Sequence, residues 1–352
     1  MFERKAGNTT PPFSPSLLKR GLGGVRRRTS YVSLILFALL TAALPAWAVT
    51  PMVAAGDDHT VALKSDGTVV AWGGNSVGQV GDGSTIYRSS PMAVPGLTGV
   101  VAVVASGYYT VALKSDGTVV AWGLNNYGQL GDGTTTNRWS PVAVPELTGV
   151  VAVAARGYHT VALKSDGTVV AWGANNYGEL GDGTTTQRSS PVTVPGLTGV
   201  VAVAAGWDHT VALKSDGTVV AWGSNFDGGL GDGTTTDRLS PVTVPGLTGV
   251  VAVAAGSHRT TALKADGTVV AWGRNVQGQL GDGTTTTRLS PVVVPGLTGV
   301  AAVAVGDYLN LSHTSALKAD GTVVAWGYNG QGQLGDGTTI NRLSPVAVPG
   351  LI

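Results

Sequence analysis

The 352-residue sequence predicts an all-β fold, a β-propeller built from six four-stranded repeats of about 50 residues. Three observations carry that expectation. A segment reading TVALKSDGTVVAWG begins at Thr60 and recurs with small changes at Thr110, Thr160, Thr210, Thr260 and, after a four-residue insertion, Thr314. Glycine supplies 53 residues, roughly twice ordinary usage, without the Gly-X-Y period of collagen, so the chain is dense in turns. Within each unit the β-rich runs are separated by Asp-Gly and proline punctuation, and no run has helical periodicity.

Residues 1–48 differ from the rest. They hold Arg4, Lys5, Lys19, Arg20, Arg26, Arg27 and Arg28 against the single acid Glu3, and the basic stretch leads into the apolar run from Val32 to Leu44 and an Ala46-Trp47-Ala48 ending. A basic region, a short apolar region and a small-x-small site describe a secretory signal peptide, with cleavage expected after Ala48. The apolar run is shorter than the roughly 20 residues that span a bilayer. The expectation is therefore a secreted, periplasmic or cell-surface protein with no membrane association once the signal is removed. Without this segment 15 basic residues face 20 acidic ones, a charge of −5, so nucleic acid is not an expected partner.

Residues 49–352 are read as a single propeller domain with units 51–100, 101–150, 151–200, 201–250, 251–300 and 301–352, because a repeat of this size cannot bury its faces alone. In the second unit the expected strands are A (Val101 to Ser106), B (Thr110 to Ser115), C (Thr118 to Gly123) and D (Pro141 to Val144). Asp116-Gly117 joins B to C, and a two-residue type I′ turn is expected there. A and C are nearly continuous apolar runs, which suits sheets covered on both faces by neighbouring blades. Twelve of the 17 prolines flank strand D, two per unit, so D is expected at the outer edge. Strand A, built from valine and alanine, is expected innermost.

The unit G-x-x-H-T-x-A-L-K-x-D-G-T-V-x-x-W-G-x-N-x-x-G-Q-L-G-D-G, as at Gly206 to Gly233 with Gly229 in place of the Gln, resembles the regulator of chromosome condensation repeat family. The match covers essentially the whole chain after residue 48. The resemblance implies a seven-bladed ring; with six units, the expectation here is either six blades or an incomplete seven-bladed ring.

Comparing the units with one another separates two faces. The B–C hairpins and D–A links are nearly constant, whereas the A–B and C–D loops on the opposite face vary in aromatic and charged residues. The candidate binding residues are Tyr108, Tyr109, Tyr158, Trp207, Arg259 and Tyr308 in the A–B loops, and Tyr127, Tyr177, Phe226, Arg274 and Tyr328 in the C–D loops, with Trp139 further along. Tyr, Trp and Arg dominate binding hot spots. The recurring Asn of Trp-Gly-x-Asn, as Asn175, is expected to close a turn on its own backbone. The recurring Arg, as Arg188, is expected to clamp the Asp of Gly-Asp-Gly.

Catalytic chemistry is sparse. There is no cysteine, hence no disulfide, thiolate metal site or cysteine nucleophile. No Gly-x-Ser-x-Gly, His-Glu-x-x-His or phosphate-binding Gly-Lys loop occurs. His59, His159, His209 and His313 occupy equivalent positions in four of the six units, with Tyr109 and Arg259 in the second and fifth, and blade-to-blade hydrogen bonding accounts for them better than a metal site. No catalytic residue, metal or cofactor is expected. The sequence thus points to an exported binding module for a protein or cell-surface polymer. Its similarity to a propeller-type β-lactamase inhibitor in this family makes enzyme inhibition one form of that. The alternatives are guanine-nucleotide exchange, implied by the resemblance but disfavoured by export and acidity, and a propeller lyase.

Overall fold

A computed structural model describes residues 49–308 and 311–351; the expected signal peptide lies outside them, as do Leu309 and Asn310. The described residues form six four-stranded antiparallel sheets and no helix, each sheet ordered A-B-C-D as the chain runs: a six-bladed β-propeller. In the second blade the strands are A (Val100–Ala105), B (Tyr109–Lys114), C (Val119–Gly123) and D (Arg138–Ala143). The A strands of successive blades lie against one another, so small valine and alanine side chains line the centre; the D strands are exposed outside.

Two local expectations are corrected. Strand D begins at Arg138, with Pro141 inside it rather than at its start. An outer edge strand tolerates this because a proline there removes no bond that the sheet needs. The B–C hairpin is not type I′: only Gly117 has positive φ, at 77°. The Gly117 amide donates to the Lys114 carbonyl and the Lys114 amide to the Thr118 carbonyl, a three-residue loop ending in a left-handed glycine. The Asp116 carboxylate reinforces it by accepting from the Thr118 amide at 3.0 Å.

Blades are joined by one repeated device. In the third blade the Trp172 indole donates to the Gln129 carbonyl of the second blade at 2.9 Å, and Thr160 Oγ1 donates to that same carbonyl at 2.9 Å. Trp122, Trp222, Trp272 and Trp326 make the equivalent bond to Gln79, Glu179, Gly229 and Gln279. Gly131, at φ 76°, lets the indole sit this close: a Cβ there would lie 2.6 Å from Trp172 Nε1. His59, His159 and His209 extend the device by bonding Thr110, Thr210 and Thr260 of the next blade, as expected of blade-to-blade packing.

Five hydrophobic cores result, one between each pair of successive blades. No such core lies between the sixth blade and the first among the described residues. Trp72 is half-buried where its five counterparts are fully buried. Leu317 is 37% exposed where Leu113 is 4% exposed. Among the described residues, no indole lies over Gly335, and no Trp or Thr side chain donates to the Gln333 carbonyl as they do to Gln79 and Gln279. Of the two expected forms the structure has the six-bladed one, with an open, unpacked seam between the sixth blade and the first among the described residues.

Candidate functional site

The face formed by the A–B and C–D loops is built on rigid C–D loops. In the third blade Asn175 is fully buried: its Oδ1 accepts from the Leu180 amide at 2.9 Å, and its Nδ2 donates to the Thr184 carbonyl at 3.0 Å and to Asp182 Oδ1 at 3.2 Å. Arg188 closes the loop through Asp182 at 2.9 Å. Burial works against the Asp182 carboxylate, but bonds from Thr184 and Arg188 outweigh it and hold its pKa below the ordinary aspartate value. The Arg–Asp pair recurs in all six blades, so these residues are structural. Asp182→Ala is expected to cost about 2 kcal/mol, because it removes the acceptor shared by the Thr184 amide, the Arg188 guanidinium and the buried Asn175 amide, and a denaturant midpoint measures it.

On this frame the candidate binding residues divide. Tyr127 and Tyr158 pack at 5.0 Å between ring centroids, and Tyr158 meets Trp207 edge-on at 6.0 Å. This gives a row of aromatics across the second, third and fourth blades, and Tyr108 is half-buried on the A–B loop of the second. The row confirms that both loop types share a face. The Trp207 amide donates to the Gly256 carbonyl of the next blade at 3.2 Å, which fixes the loop that carries it. Burial raises the Tyr158 hydroxyl pKa, helped by Tyr127, Asp57 and Asp208.

Tyr177 and Phe226 are exposed, at 45% and 75%, and stand on the rim of a cavity of about 370 Å³ together with Asp208, Ser224, Thr235, Asp237 and His258. Arg274 is bound to Asp227 of the fourth blade at 2.9 Å. Trp139 lies apart on strand D of the second blade, exposed over Gly78 of the first. Tyr328 is half-buried in the sixth blade, and Tyr308 ends that blade's strand A (Val300–Tyr308).

Tyr109 and Arg259 are not on the face. They replace the interface histidine and are 0% and 1% exposed. Tyr109 donates to the His159 carbonyl at 2.6 Å, and Arg259 to the His313 carbonyl at 2.7 Å and to Thr314 Oγ1 at 2.6 Å. Each begins a strand B, where the side chain turns into the next blade while its predecessor, Tyr108 or His258, stays in the loop.

Two acids were missed by sequence reasoning, Glu179 and Asp237. Glu179 is 1% exposed, and its Oε2 accepts from the Tyr177 amide at 2.8 Å. Burial pushes its pKa up to about 7, with Asp208 and Asp237 adding repulsion. Burial likewise lifts Asp208 to about 6, aided by Asp237. Asp237 Oδ1 accepts from the Asn225 amide at 2.7 Å, as Asn137 does from Asn125 in the second blade. The same comparison of units would have found both, since Glu179 stands where four units have Gln and Asp237 where two have Asn. Among the described residues no three His, Asp or Glu side chains converge to hold a metal.

The chain is similar to known proteins over most of its length. The family model of the RCC1-like domain matches residues 46–245, and that of the Regulator of chromosome condensation (RCC1) repeat matches residues 266–312 and 320–352. Among solved structures, yeast RCC1 (Prp20), determined bound to Kap60, is 26% identical with a TM-score of 0.74 over 85% of this chain and 74% of its own. Prp20p from Saccharomyces cerevisiae, described with its binding to Gsp1p and histones, is 26% identical with a TM-score of 0.72, covering 85% of this chain and 76% of its own. Human WBSCR16 is 26% identical with a TM-score of 0.75, covering 86% and 82%.

Proposed function

Because this chain belongs to the RCC1 repeat family, we propose that it is an exported protein-interaction module, docking its partner on the A–B and C–D loops of the second to fifth blades. The observation that carries this reading is the continuous aromatic row of Tyr127, Tyr158 and Trp207 on rigid loops. Pre-ordered, amphipathic rings lose little entropy on binding, which makes them efficient anchors. The related yeast protein Prp20 is described with protein partners, and that supports a protein here. Export rests on the basic and apolar segments ahead of residue 49. The carboxylates of Asp57, Asp208 and Asp237 on this face disfavour a phosphate backbone. The module acts by binding rather than by catalysis.

The test is affinity capture from a native extract, scored by quantitative mass spectrometry. Joint replacement of Tyr127, Tyr158 and Trp207 by alanine is expected to release the captured proteins, with affinity falling more than about tenfold, and to leave the circular dichroism of the propeller unchanged. An unchanged set of captured proteins would remove the reading.

A further inference from the structure

The cavity between the third, fourth and fifth blades combines an aromatic rim with an acidic wall. Its rim is aromatic, with Tyr177 and Phe226 exposed. Its wall is anionic without internal compensation: among the described residues, no hydrogen bond or ion pair reaches the half-buried Asp208 carboxylate. Asp237, also in the wall, accepts one backbone amide. Arg274, whose backbone amide is bonded to His258 of the wall, commits its guanidinium to Asp227 at 2.9 Å. A half-buried carboxylate lacking a counter-charge is costly, and aromatic faces attract cations. An aliphatic stem ending in a positive charge satisfies both features at once.

Resting on the interaction reading above, we propose that this cavity receives one lysine or arginine side chain of the partner protein, its stem between Tyr177 and Phe226 and its cationic end at Asp208 and Asp237. The other units lack this combination. Positions equivalent to Asp208 hold Asp58, Tyr108, Tyr158 and His258 in the first, second, third and fifth blades, and those equivalent to Asp237 hold Tyr87, Asn137, Gln187 and Thr287. The site therefore occurs once on a nearly repetitive surface.

The titratable groups around the cavity are Glu179 of the third blade, Asp208 and Asp237 of the fourth and His258 of the fifth, with Tyr158 and the Arg274–Asp227 pair beside it. The raised pKa values of Asp208 and Glu179 mean that these carboxylates ionise on passing from pH 5 to pH 8. Cation binding is therefore expected to strengthen over that range and to release protons.

The experiment is isothermal titration of the full chain with a lysine-rich peptide, and with the same peptide carrying norleucine for lysine. Binding of the lysine peptide alone is expected, weakening with salt. It should fall about tenfold or more in the Asp208→Asn, Asp237→Asn double variant. Asparagine keeps the amide acceptor that Asn137 supplies in the second blade, so this variant should melt no lower than wild type. Equal binding by wild type and variant, or no preference for lysine over norleucine, overturns the proposal. If the double variant still captures the full partner set while the aromatic variant loses it, the cation site fails and the interaction reading stands.

Discussion

Replacing Trp172 by alanine is expected to cost about 3–5 kcal/mol, whereas the same change at Trp72 should cost less than about 1 kcal/mol. The two residues occupy the same position in the repeat and carry the same neighbours in sequence. Trp172 is 0% exposed, packs in the core between the second and third blades, and donates to the Gln129 carbonyl. Its removal leaves a large void over Gly131 and a buried carbonyl that keeps only the Thr160 bond. Trp72 faces the open seam, half in solvent, so its loss creates no closed cavity. Chemical denaturation of the two variants side by side measures the difference. Equal costs would mean that the first and sixth blades are packed together in solution.

Glu179→Gln should stabilise the protein at pH 8 by up to about 3 kcal/mol relative to pH 4. The sign follows from the raised pKa. Glu179 binds its proton more tightly folded, at about 7, than unfolded, at 4.5. Its contribution is therefore full below pH 4.5, falls as pH rises through about 7, and stays low above. Glutamine removes that loss and restores the residue that four other units carry, keeping the bond from the residue 177 amide. The clamp aspartates run the other way. Asp182 and its equivalents have depressed pKa values, so their support is present above the ordinary aspartate range and is lost as the solution is acidified further. Melting curves of wild type and Glu179→Gln at pH 4 and pH 8 separate the two effects; a gain independent of pH would contradict the uncompensated charge at Glu179.

The repeat made the architecture readable because each strand and turn was stated six times, and errors arose where pattern and geometry part. Asp-Gly marks a hairpin but does not distinguish a two-residue turn from a three-residue one, since both need a left-handed glycine. Tyr109 and Arg259 varied between units like loop residues, yet they begin strands, and one residue along a strand reverses the side chain's direction. Variation reveals that a position has been released from the repeat, not which way it points. Tyr127, Tyr158 and Trp207 were found by the same comparison and do come together. The open seam was not legible, because every unit carries both of its interface faces whether or not a neighbour meets them.

Each blade grips the one before it through a tryptophan, a threonine and a shared carbonyl, and all five junctions use this arrangement. The junctions are therefore interchangeable. Recombination within the gene that duplicates or deletes one whole unit joins a familiar front to a familiar back and requires no new contact to evolve. Blade number in such a protein can drift by whole steps while every surviving junction stays intact, and the loops on the binding face are then shuffled as complete cassettes.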